Sequence, residues 1–167
     1  MSKKKKRNNI HKPNKKSAKK RTLGNLPSQH NFFLNPYEDS RFTRCPQCRE
    51  KTKIRKRPFV VHVDSAILMT INMSSPYCPD CDLIILHQND LEHLLVAKFS
   101  EYDPSIIGNN YLVVGTLKRT YFHKANKQGG TYGEFFDSLH DFKKVVTFEP
   151  QHWVWGLEDT QYKDKQG

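Results

Sequence analysis

Residues 45–48 read Cys45-Pro46-Gln47-Cys48 and residues 78–86 read Cys78-Pro79-Asp80-Cys81-Asp82-Leu83-Ile84-Ile85-Leu86, and these two stretches hold all four cysteines of the 167-residue chain. A Cys-x-x-Cys turn aims two sulfurs at one point, so a matched pair of turns supplies the four thiolates of a closed tetrahedral shell. The expected ligands of one structural zinc ion are therefore Cys45, Cys48, Cys78 and Cys81. No position is left open for water or substrate, which argues for a structural ion over a catalytic one.

Between the two turns the sequence predicts strands. Pro58 to Asp64 sets Phe59, Val61 and Val63 against Val60, His62 and Asp64, the period-two pattern of a strand with one buried face. A second extended run from Ala66 to Met73 leads into Pro76 and the second cysteine pair. Two strands between two cysteine turns is a hairpin that returns the chain to the metal. Two other uses share the spacing. Paired knuckles also hold iron in rubredoxins, but glycine usually follows the second cysteine of each knuckle there, whereas Arg49 and Asp82 stand here. Thiol exchange of the thioredoxin type needs one pair at a helix start with a lowered thiol pKa, and two Cys-Pro-x-Cys turns fit metal better.

Downstream, Leu83 to Leu86 predicts a short buried strand. Asn89 with Glu92 three residues later predicts a capping box opening a helix that carries Leu91, Leu94, Leu95 and Phe99 on one face and ends before Pro104. A strand from Tyr111 to Phe122, a Gly129-Gly130 turn, a short helix from Glu134 to about Phe142 opened by Thr131 and Glu134, and a strand from Val145 to Phe148 complete the expected order. Upstream, Phe32, Phe33, Leu34 and Tyr37 are expected to anchor the chain to this body.

With these motifs in place, the chain resembles the zinc-ribbon class, and more loosely a group of bacterial proteins that combine such knuckles with Pro-Phe-Val-x-His-Val-Asp and Cys-Asp-Leu-x-x-x-His-Gln stretches. The resembling part is about residues 45–96, carried here by Cys45 to Cys48, Pro58 to Asp64, and Cys78 to Gln88 with Leu91 and Glu92. The resemblance implies the four ligands and the ribbon fold, and no substrate. The expected fold class is thus α+β: a four-cysteine zinc ribbon with rubredoxin-like hairpin knuckles over residues 31–101, including its following helix. A carboxy-terminal strand-helix-strand extension over 102–167 is expected to pack on it.

The formal net charge of +11 is unevenly spread. Lys3, Lys4, Lys5, Lys6, Arg7, Lys12, Lys15, Lys16, Lys19, Lys20 and Arg21 are eleven bases with no acid among them, and everything after Arg21 carries 17 bases against 17 acids. Residues 1–30 contain almost no large apolar side chain, so the composition predicts a disordered basic tail. Within the neutral body, Arg41, Arg44, Arg49, Lys51, Lys53, Arg55, Lys56 and Arg57 are eight bases accompanied only by Glu50. A dipolar body with its positive face at the first cysteine turn orients toward polyanions. No apolar run approaches the roughly 20 residues that cross a bilayer, and the charged start lacks the apolar stretch of a secretory signal. No membrane association is expected, and the expected compartment is the cytoplasm, or the nucleus of a eukaryote. Paired cysteine turns in that reducing setting favour metal over disulfides.

Together these features predict binding rather than catalysis. The expected partner is nucleic acid or a ribonucleoprotein, contacted by the tail (Lys3 to Arg7, Lys19, Lys20 and Arg21) and by Arg44, Arg49, Lys51, Lys53, Arg55, Lys56 and Arg57 around the first knuckle. An adaptor that docks an acidic protein is the alternative. An enzyme would draw on His62 and Asp64, with His87, Asp90 and His93 nearby in sequence, but no nucleophile elbow, phosphate loop or trusted ligand spacing accompanies them, so orienting polar residues is the plainer reading. Tyr111, Tyr121, Phe122, Tyr132, Trp153 and Trp155 can stack on bases, although aromatics at alternating strand positions are more often core.

Overall fold

The computed structural model describes residues 21–148, so expectations for residues 1–20, and for Trp153 and Trp155, fall outside it. The fold is α+β. Seven strands form one mixed sheet: β1 (Asn31–Asn35), β2 (Lys53–Val63), β3 (Ile67–Cys78), β4 (Leu83–His87), β5 (Tyr111–Leu117), β6 (Leu139–Asp141) and β7 (Lys144–Val145). Their spatial order is β6-β5-β2-β3-β4-β1-β7. β1 runs parallel to both β4 and β7, and the other pairings are antiparallel. Three α-helices join them: α1 (Gln88–Tyr102), α2 (Arg119–Gln128) and α3 (Tyr132–Asp137).

The β2–β3 hairpin is the frame. Its eleven paired positions run from Lys53 opposite Tyr77 at the base to Val63 opposite Ile67 at the tip, where Ser65 and Ala66 turn the chain at positive φ. Strand pleating sends odd-numbered residues of both strands to one face and even-numbered ones to the other. Phe59, Val61, Val63, Ile71 and Met73 meet Phe32, Ile84 and Leu86 on the first face, where α1 covers them with Leu91, Leu95 and Phe99. Those helix residues are spaced i, i+4, i+8, the stripe that packs on a sheet. On the second face the covering is divided. At the β5 end, Val60, Leu117 and Leu139 pack with Tyr121, Phe135 and Phe136 of α2 and α3; at the β4 and β1 end, Phe33, Leu83 and Ile85 pack with the cysteines.

This double covering corrects the single buried face expected for Pro58 to Asp64, because Val60 is as fully buried as its neighbours. Five further expectations are corrected. The strand expected to reach Phe122 stops at Leu117, the last residue with a partner on β6, and the chain then turns into α2. The aromatic pair Tyr121 and Phe122 signals a strand by propensity, but no strand remains there to pair with. The short helix runs from Tyr132 to Asp137 rather than from Glu134 to Phe142, since Leu139–Asp141 is drawn into the sheet as β6; its cap is as expected, with Thr131 Oγ1 accepting the Glu134 N–H at 3.2 Å. The last strand is limited to Lys144–Val145, and Val146 and Phe148 leave it to pack over the cysteine cluster. At the start of α1 the capping box does not form: His87 stands at the N-cap, and Glu92 is held instead by Gln88 and Tyr111. Leu94, expected on the buried face, is exposed.

Residues 22–30 lie against the body. The Leu23 and Gly24 N–H groups donate to the Asp141 carboxylate at 2.9 and 2.7 Å, and Leu26 forms an isolated bridge with His140. This segment covers the outer edge of β6, which would otherwise expose unpaired backbone groups.

A bulge tightens the sheet where β5 meets β2: Val60 faces Gly115 while Val61 faces Val113, leaving Val114 as the extra residue. A Cβ on Gly115 would lie 1.9 Å from the His140 carbonyl oxygen and 2.8 Å from Asp141 Cα. Both are backbone atoms of β6, so no side-chain rotation relieves the clash. Gly115→Ala is expected to push β6 off the sheet and destabilise the fold by about 3 kcal/mol, read as a lowered urea midpoint; an unchanged midpoint would refute this packing.

Candidate metal centre

The first knuckle is built by its own hydrogen bonds. The Cys45 N–H donates to the Glu50 carbonyl at 2.8 Å, the Arg49 N–H donates back to the Cys45 carbonyl at 2.9 Å, and the Gln47 N–H points at Cys45 Sγ at 3.4 Å. Arg44 bridges Lys51 just outside the turn, and Thr52 closes it through Thr43 and Phe42. The second knuckle follows β3 without a break, Cys78 being the last residue of that strand. The hairpin base therefore delivers Cys48 and Cys78 to the same place.

The two turns share a further feature. The residue after each second cysteine takes a left-handed backbone, Arg49 at φ 68° and Asp82 at φ 48°. Side chains other than glycine pay roughly 1–2 kcal/mol there. Arg49 and Asp82 thus follow the path that glycine would take, and their identity does not discriminate zinc from iron. Sequence reading missed this conformation, whose signal was the repeated position after the second cysteine of each turn.

Asp82 is held in place by a cluster outside the metal position. Its carboxylate accepts from His30 Nδ1 at 2.5 Å, from the Tyr77 hydroxyl at 2.8 Å and from Lys143 Nζ at 3.1 Å, while its carbonyl accepts the Asn31 N–H at 2.8 Å. Burial opposes ionisation of Asp82, but these bonds outweigh it and hold the carboxyl below the usual carboxylate range. Burial first, and the bond to Asp82 second, push the Tyr77 phenol up to about 12. The knuckle is thereby tied to β1, β3 and the segment before β7.

All four Sγ atoms lie within 4.8 Å of one another, and Cys48 and Cys78 approach to 3.5 Å. Four thiolates about 2.3 Å from one tetrahedral ion stand about 3.8 Å apart, so the set fits a single metal ion with no fifth donor required. Cys45 and Cys78 are fully buried, and Cys48 and Cys81 are partly so. Phe33, Leu83 and Ile85 close one side, with Tyr37, Phe42, Val146 and Phe148 around them. Burial pushes the Cys78 and Cys81 thiols up, and the neighbouring sulfurs add to the rise at Cys81. The Cys48 thiol is lowered, chiefly by a backbone hydrogen bond from Glu50. Crowded sulfurs that resist ionising together are the setting in which a cation takes the place of protons.

Among the described residues this is the one group of three or more Cys, His, Asp or Glu side chains close enough to share an ion. His62 is half-buried on β2 beside Leu68 and Leu112, and Asp64 is exposed in the hairpin turn, so neither meets a second ligand. His87 is buried at the start of α1 with Nε2 near the Glu38 carbonyl, Asp90 pairs with Arg41 at 2.5 Å, and His93 is exposed. Of the basic residues read around the first knuckle, Arg44, Arg49, Lys51, Lys53, Arg55 and Lys56 are exposed. Arg57 is not: its guanidinium lies 4.4 Å over the Tyr77 ring, and Nη1 is buried. No described helix is long and apolar enough to cross a membrane.

No protein-family model matches the chain, and neither the curated proteins nor the solved structures contain a match.

Proposed function

We propose that this chain is a zinc-ribbon module whose four cysteines hold one structural zinc ion and whose basic residues bind nucleic acid or a ribonucleoprotein. The observation that carries the reading is the meeting of two features at the base of one hairpin. The four thiols converge there, and the first half of β2 exposes Lys53, Arg55 and Lys56, none of which pairs with an acid among the described residues. A zinc ion with four thiolates carries a net charge of −2, which offsets only part of the eight bases around the first knuckle. Of those eight, Arg41 is paired with Asp90 and Arg57 is stacked on Tyr77, and the exposed Lys53, Arg55 and Lys56 are available to phosphates. Thiolate donors suit zinc in a closed site.

The experiment is a salt titration of binding to a fluorescein-labelled single-stranded RNA, with a duplex DNA of the same length alongside. Replacing Lys53, Arg55 and Lys56 by Ala is expected to lower the slope of log K against log salt by about 2 on the RNA, at roughly 0.7 per lost phosphate contact. Deleting residues 1–21 is expected to lower it further. Arg57 is left in place because its stacking on Tyr77 is structural. A slope unchanged by both alterations would exclude the nucleic-acid reading, and a protein partner retained at high salt would point to the adaptor.

A further inference from the structure

On the face of the sheet opposite the cysteines, a groove of about 520 Å³ runs between α1 and the loop 107–110 that leads into β5. This size falls in the range of small-molecule sites. Leu95, Val96 and Phe99 of α1 give it an apolar wall, and the polar side chains of Gln88, Glu92 and Tyr111 also line it. Gly108, which also lines the groove, has φ +89° and open space where a Cβ would stand.

The chemistry of Glu92 decides what the groove takes. Its Oε1 accepts from the Tyr111 hydroxyl and from Gln88 Nε2, both at 2.8 Å. Neither donor is a cation. Burial, reinforced by the bond to Glu92, pushes the Tyr111 phenol up, so it remains a neutral donor. The ion pairs His30–Asp82, Lys143–Asp82, Arg41–Asp90 and His87–Asp90 involve other carboxylates. Glu92 is half-buried, lines the groove with no other acidic or basic side chain, and leaves Oε2 without a partner among the described residues. A partly desolvated carboxylate served only by neutral donors on one oxygen favours a cation at the other.

We propose that this groove binds a small organic cation, a primary ammonium carried on an apolar body, with the ammonium on Glu92 Oε2 and the body against Leu95, Val96 and Phe99. Gln88 and Tyr111 are positioning residues that fix the carboxylate. The site is independent of the zinc and nucleic-acid reading, since it lies on the other face of the sheet and carries the opposite charge.

The test uses the full-length, metal-loaded protein and methyl NMR, titrated with phenethylammonium chloride, with neutral 2-phenylethanol and with 3-phenylpropionate. Saturable shifts of the Leu95 and Val96 methyls are expected with the ammonium, at an affinity about tenfold or more above that of the alcohol, and none with the carboxylate. Glu92→Gln keeps an acceptor for Tyr111 and removes the charge; it is expected to reduce the ammonium to the affinity of the alcohol. Val96→Trp fills the groove while keeping the carboxylate and its charge, and is expected to abolish binding of both. Equal affinity for ammonium and alcohol, an ammonium preference that survives Glu92→Gln, binding that survives Val96→Trp, or no saturable shift with any probe would each overturn the proposal. Should Glu92→Gln fail to fold, the probe comparison and Val96→Trp still decide it.

Discussion

Chelating the metal from the purified protein is expected to unfold the cysteine layer and remove most of the stability of the domain. A structural four-thiolate site contributes on the order of 10 kcal/mol, while a whole domain is stable by only about 5–15 kcal/mol. The apolar side chains of the layer, Phe33, Leu83 and Ile85 with Tyr37, Phe42, Val146 and Phe148, pack around the four sulfurs and depend on their convergence. The segment between β1 and β2 contributes Tyr37, Phe42 and the first knuckle, but no strand of the sheet. Circular dichroism during a chelator titration, with a zinc indicator in the same cuvette, should show loss of the cooperative thermal transition in step with release of one equivalent of zinc, and recovery on adding it back. Cys78→Ser should reproduce the loss, because it leaves three crowded thiols around a poorer donor. A thermal midpoint that survives removal of the metal would sink the assignment of the site as the keystone of this fold.

The second large effect is expected from Phe33→Ala. Phe33 is 1% exposed and sits edge-on to Phe42 and Phe148, with ring centroids 5.6 and 5.0 Å away. Truncating a buried phenylalanine costs about 3–5 kcal/mol. Its neighbour Phe32 provides the control, being equally buried but on the opposite face of β1, stacked at 4.2 Å on Phe142. Phe32→Ala should cost a similar amount in denaturant. Only Phe33→Ala opens the apolar wall beside the sulfurs, so under native conditions it should speed release of the metal to a chelator well beyond the Phe32→Ala rate. Equal release rates in the two variants would show that the wall does not guard the site.

The parts of this structure that the sequence discloses are those in which neighbouring residues decide the outcome. The β2–β3 hairpin follows from alternation between two cysteine turns, β4 from an unbroken apolar run, and α1 from Leu91, Leu95 and Phe99, with Pro104 ending it. The rest depends on distant partners. Asn31–Asn35 is too short and too polar at its ends to announce a strand, and it becomes one because β4 and β7 flank it. Lys118 turns the chain because Leu117 has exhausted the three pairs that β6 offers. At the site, the four cysteines were legible from spacing alone. The buried side of Arg57 was not, because a base in a basic run gives no hint that an aromatic ring, Tyr77, waits on the next strand.

The position of β1 has a consequence for the order in which the chain can be made. Although it precedes every other strand of the described residues in sequence, β1 lies next to last in the sheet and pairs in parallel with β4, so Asn31 must wait for Leu83. Ribosomes add about 5–20 residues per second, which leaves Phe32 and Phe33 without their β4 partners for several seconds after they are synthesised. The metal turn cannot close in that interval either, because Cys81 is made just two residues before β4 begins. Closure of the four-thiol set and pairing of β1 with β4 therefore become possible at nearly the same moment of synthesis, and until then the nascent chain presents two phenylalanines and the two thiols of the first knuckle to whatever chaperone or metal donor reaches it first.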